Sequence, residues 1–96
     1  MEPVRLIVRI VAQNGKAEQL RGLLRRMVAP TRSEQGCRYY EFFESNLPGV
    51  FYFHELWHSK ADLETHEESK HFTEIMPKAK ELLKEPMEVS FLEEVQ

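Results

Sequence analysis

Apolar and polar residues alternate along the first stretch of the chain. Val4, Leu6, Val8, Ile10 and Ala12 fall on one side, and Arg5, Arg9 and Gln13 mostly on the other. That period of two predicts a half-buried strand. Asn14-Gly15 breaks the pattern, with Asn14 placed to cap a helix. Leu20, Leu23, Leu24, Met27 and Val28 then recur at helical spacing, one stripe of an amphipathic helix that Pro30 kinks or ends and Gly36 terminates. Residues 37–45 and 50–58 are rich in aromatics and joined by Asn46-Leu47-Pro48-Gly49, which predicts a hairpin. Ser59 followed by Asp62 reads as a capping box, so a helix opens at Lys60 and carries His66, and Ser69 begins a second helical segment. The stripe of that segment is Phe72, Ile75, Met76, Ala79, Leu82 and Leu83, bent or restarted at Pro77 and ended by Pro86. Met87, Val89, Phe91 and Val95 against Glu88, Ser90 and Glu94 predict a last amphipathic strand.

The resulting order, strand-helix-strand-strand-helix-strand, predicts an α+β ferredoxin-like βαββαβ sandwich. Its four-stranded antiparallel sheet would carry the helices on one face. Both faces of the hairpin are aromatic, because Tyr39, Phe43, Phe51 and Phe53 sit at odd positions and Tyr40, Phe42 and Tyr52 at even ones. A sheet with one wet face should alternate apolar with polar instead. The second face therefore calls for a cover, most simply a second copy of the chain, which makes a homodimer through the sheet.

Composition narrows the class without identifying it. The 96 residues make a single domain, 1–96, with 42% hydrophobic and 30% charged residues, the balance of an ordinary globular protein. A net charge of −3 with signs mixed throughout provides no footprint for nucleic acid or an anionic membrane. Met1-Glu2-Pro3 before a short apolar strand resembles neither a secretory leader nor a membrane span, and the lone Cys37 forms no internal disulfide. A cytoplasmic protein is expected.

The four histidines invite a metal reading that their spacing does not support. His66 and His71 are five apart, which on a continuous helix separates them by about 140°. The zinc-protease motif needs four. His54 and His58 are four apart on a strand, about 13 Å. No metal is expected. Gly15, Gly22, Gly36 and Gly49 form no phosphate-binding loop, no serine occupies a nucleophile elbow, and Cys37 reads as a small buried hydrophobe. What remains is a strand-to-helix corner. Trp57 shares a strand face with Phe51, Phe53 and Glu55, His66 should face the sheet, and His71 stands beside Phe72. A near-neutral histidine in such a pocket could take a phenolic proton and hold the anion, or could merely bond the helix ends. Glu55 is read as a network or dimer carboxylate.

These pieces resemble the antibiotic biosynthesis monooxygenase domain of the dimeric α+β barrel superfamily. The resemblance rests on Gly36-Cys37 with Tyr40, on Phe53-His54-Glu55-Leu56-Trp57, on Ala61-Asp62-Leu63-Glu64-Thr65-His66, and on Ser69-Lys70-His71-Phe72. It implies a protomer whose sheet packs on a partner's sheet, with the active site between sheet and helices. It further implies a monooxygenase that uses no metal, flavin or other cofactor. The substrates would be O₂ and a small electron-rich aromatic such as a quinol. His66 or His71 would be the catalytic base, and Trp57, Phe72, Phe53 and Met76 would line the substrate pocket. Haem-degrading relatives use an asparagine, a tryptophan and a histidine at places that here hold Val8, His66 and Met76. The resemblance therefore does not extend to haem degradation. One family branch isomerises a phosphorylated autoinducer-like sugar derivative and shares the histidine corner. That alternative would use Lys70 or Lys78 for the phosphate. A non-catalytic, ligand-binding or stress-related dimer is the other, for which the pocket should be filled by Trp57, Phe72 and Met76. Pro77 departs from the uninterrupted last helix that is common in the family.

Overall fold

The computed structural model describes residues 2–96; Met1, the first residue of the expected domain, lies outside the described residues. Four strands and four helices follow one another: β1 Val4–Val11, α1 Ala17–Arg25, α2 Val28–Arg32, β2 Cys37–Glu44, β3 Val50–Trp57, α3 Lys60–Glu67, α4 Lys70–Lys80 and β4 Glu88–Leu92. The strands form one antiparallel sheet in the order β2-β3-β1-β4. This is the ferredoxin-like arrangement expected from the chain.

Register decides which residues meet the helices. Leu6, Val8 and Ile10 of β1 lie opposite Glu55, Phe53 and Phe51 of β3. Tyr40 and Phe42 of β2 lie opposite Glu55 and Phe53. These side chains share the inward face, where they pack with Leu20, Leu24, Met27, Ile75, Met76 and Ala79 from the helices. Full burial of a large apolar side chain contributes about 2–3 kcal/mol, so Trp57, Phe51 and Phe53, all enclosed, anchor the sheet to its cover. The opposite face carries Ile7, Tyr52 and Leu56 with the exposed Tyr39 and Phe43, and among the described residues no helix packs over it.

Several boundaries differ from those the pattern suggests. The first helix begins after Lys16, not at an Asn14 cap, because Gly15 takes a left-handed turn with φ 79°. That helix ends at Arg25, and Pro30 lies inside the separate short α2. Pro77 does not divide α4, which runs continuously from Lys70 to Lys80; proline removes one backbone donor but leaves the rest of the ladder in place. Leu82 and Leu83 lie beyond that helix and pair instead with the residues that follow β1, through Gln13 N donating to Leu82 O and an isolated bridge from Ala12 to Leu83. Gly36 keeps no left-handed backbone; its hydrogen is required because a Cβ there would collide with Asp62.

Candidate active site

Two serine caps build the corner. Ser59 Oγ accepts from Asp62 N at 3.2 Å and opens α3, and Ser69 Oγ accepts from Phe72 N at 3.4 Å and opens α4. Leu63 and His66, three apart on α3, both turn inward and are buried. Ser69 Oγ also donates to His66 O at 2.6 Å, tying the end of one helix to the start of the next. The chain reverses between them, so the spacing that separates His66 and His71 on one helix brings their rings to 5.9 Å across the break.

Glu34, in the loop between α2 and β2, joins them. One carboxylate oxygen, Oε2, lies 2.7 Å from His66 Nδ1 and 2.9 Å from His71 Nε2. A carboxylate only accepts, so both imidazoles present N–H to it. His66 Nδ1 therefore carries the proton, and Nε2 keeps the lone pair of the neutral ring. Burial holds the His66 pKa below its usual 6.5, only partly offset by Glu34. The three ligand atoms lie within 4.8 Å of one another, close enough to hold a divalent cation, although the hydrogen-bonded arrangement places protons between them. No helical spacing foretells Glu34. The only signal would have been that two imidazoles brought together need an acceptor.

Beside this trio is a cavity of about 100 Å³ between the sheet and α3 and α4. Its walls include Leu6, Val8, Phe53, Leu63, Phe72 and Met76, with His66, Tyr40, Glu55 and Glu67 as polar members. Phe53, Phe72, Met76 and His66 thus stand where the sequence reading puts a pocket. Trp57 and His71 do not line it. Trp57 is fully enclosed, its ring tilted by 35° at 4.6 Å from the His66 ring, and its Nε1 donates to Glu55 Oε1 at 3.0 Å. His71 stands on the Glu34 side. Tyr40 meets the His66 ring edge-on at 5.7 Å, and burial pushes its phenol well above the usual range.

Among the described residues, the buried polar side-chain atom left with neither a partner nor open space is Thr31 Oγ1. His66 is bonded through Nδ1, its Nε2 has no hydrogen-bond partner among the described residues, and the residue lines this cavity. Phe72, Met76, Met87 and Val89 are shared with an outer groove of about 680 Å³, whose rim carries Lys80 and Lys84. Lys78, named for a phosphate, lies instead in a groove between α1 and α4, and Lys70 lines neither space.

The family model described as antibiotic biosynthesis monooxygenase matches residues 3–78. The chain belongs to that family. This member is 36% identical to Rv0793 of Mycobacterium tuberculosis over 90 residues, 94% of this chain and 89% of the relative. It is 32% identical to YcnE of Bacillus subtilis over 75 residues, 77% of this chain and 79% of that one. Both relatives carry a provisional monooxygenase name. The solved structure of Rv0793 superposes with a TM-score of 0.92 at 34% identity, covering 99% of this chain and 97% of its own. That of PA3566 from Pseudomonas aeruginosa gives 0.91 at 33% identity, covering 100% and 97%. The antibiotic biosynthesis monooxygenase fold is thus present over the whole described chain. Among the described residues, no helix is long and apolar enough to cross a membrane.

Proposed function

We propose that this family member oxidises a small electron-rich aromatic such as a quinol, using O₂ and no bound cofactor, with His66 as the base. The observation that supports this reading is the setting of His66: Nδ1–H is held by Glu34, Nε2 has no partner among the described residues, and the residue lines a mainly apolar cavity. A neutral imidazole so placed accepts the phenolic proton, and the imidazolium that forms lies against the Glu34 carboxylate. The bound phenolate passes one electron to O₂, and the two radicals recombine into a peroxide on the ring. Loss of water then leaves one oxygen atom in the product, so the substrate supplies both electrons. The protein contributes orientation, exclusion of water and a place for the proton. His71 does not line the cavity and is assigned to holding Glu34.

An open cavity, not a core filled by Trp57, Phe72 and Met76, favours a ligand-binding site. The uncovered outer sheet face, with Tyr39 and Phe43 exposed, supports a homodimer through the sheet. Oxygen uptake by chelator-treated protein against a panel of quinols, corrected for autoxidation, tests the chemistry. His66→Ala should lower the rate by about 10²–10⁴-fold, the usual worth of a positioned base. Uptake unchanged in that variant would remove His66 from the role. No uptake above autoxidation by the wild type would defeat the monooxygenase reading for these substrates.

A further inference from the structure

The cavity has a second polar group that this mechanism leaves unused. Glu55 on β3 points inward between Leu6 of β1 and Tyr40 of β2, its register partners, and is 5% exposed. Its Oε1 accepts from Trp57 Nε1. Among the described residues no donor reaches Oε2, and Glu55 lines the cavity. A carboxyl group buried without a cationic partner favours its neutral form, in which the free oxygen side presents an O–H. The pocket thus offers an acceptor nitrogen from His66 and a donor hydroxyl from Glu55, with Tyr40 and Glu67 as the other polar residues of a mainly apolar lining. Its volume of about 100 Å³ is smaller than the roughly 150 Å³ cavity that admits benzene, so a substituted ring would extend into the outer groove of about 680 Å³ that shares Phe72, Met76, Met87 and Val89 with it.

We infer that Glu55 contacts the substrate as a neutral carboxylic acid, hydrogen-bonding a second oxygen on the ring whose first hydroxyl faces His66, so that the pocket selects dioxygenated arenes over monophenols. The inference rests on the pocket being the substrate site proposed above. It replaces the purely structural role that the sequence suggests for Glu55, and it makes Trp57 a positioning residue that links both polar groups through one indole.

Anaerobic calorimetry separates binding from turnover. The ligands are hydroquinone, 4-methoxyphenol, whose ether oxygen can accept but not donate, and phenol, which lacks the second oxygen. In the wild type the first two should bind about tenfold tighter than phenol, the worth of one hydrogen bond. Glu55→Gln, whose amide still donates, should keep that preference, and Glu55→Leu should lose it. Equal binding of all three ligands by the wild type would overturn the role of Glu55 while leaving the pocket reading intact, and this arm needs no variant to fold. Loss of the preference in Glu55→Gln would overturn the donor assignment. Binding of none of the three at millimolar concentration would overturn both the pocket reading and this one.

Discussion

Glu55 and His66 titrate in opposite senses because burial penalises the charged form of each. Glu55 is raised from 4.5 to about 7 by burial, only partly offset by the Trp57 N–H. The folded protein therefore keeps a proton that the unfolded chain releases. The stability this contributes is complete below pH 4.5 and is lost as the pH rises through about 7. His66 is lowered from 6.5, so the unfolded chain binds the extra proton, and stability falls as the pH drops below 6.5. Glu55→Gln removes the first dependence and leaves the second. Urea denaturation should show the variant gaining on the wild type by roughly 3 kcal/mol between pH 4.5 and about pH 8. An unchanging difference across that range would mean that Glu55 is not a buried acid. The inward face of Glu55 was legible from strand alternation. Its protonation was not, because that depends on the absence of a cation nearby in space.

The corner between β3 and α4 depends on small groups whose role is steric as much as polar. Gly36 leaves the space that the Asp62 side chain fills, and its carbonyl accepts from His58 N at 2.9 Å. Asp62 in turn accepts from Ser59 Oγ at 2.9 Å, so the loop before β2 and the start of α3 are locked to each other. Gly36→Ala should cost about 1–3 kcal/mol in urea denaturation, as overpacking against a side chain that cannot retreat without losing its bond. A loss indistinguishable from zero would show that Asp62 swings away freely. Both serine caps and the helix starts they set were legible, because capping is a matter of residues three apart. The pattern makes Gly36 a helix terminator, but its neighbour in space is Asp62, a contact between segments that local spacing does not show.

Among the described residues, no helix covers the outer sheet face. Ile7, Tyr52 and Leu56 lie there in register with the exposed Tyr39 and Phe43. In the proposed homodimer this face is the contact. Light scattering should give twice the 11.4 kDa chain mass for the wild type. Replacing Tyr39 and Phe43 together with lysine should return the single-chain mass, because two charges would then face two charges across a buried surface. A wild-type mass of 11.4 kDa would end the dimer proposal.

The sequence by itself determined the four strands, the hairpin, the capped starts of α3 and α4, and the inward turn of His66. Those features follow from period and turn chemistry among near neighbours. Only the tertiary structure decided that Glu34 would bind two histidines 32 and 37 residues away, and that Trp57 would stand behind the pocket wall while Glu55 formed part of it. A contact made by packing distant segments together leaves no mark on local spacing, so the fold was readable before the site was.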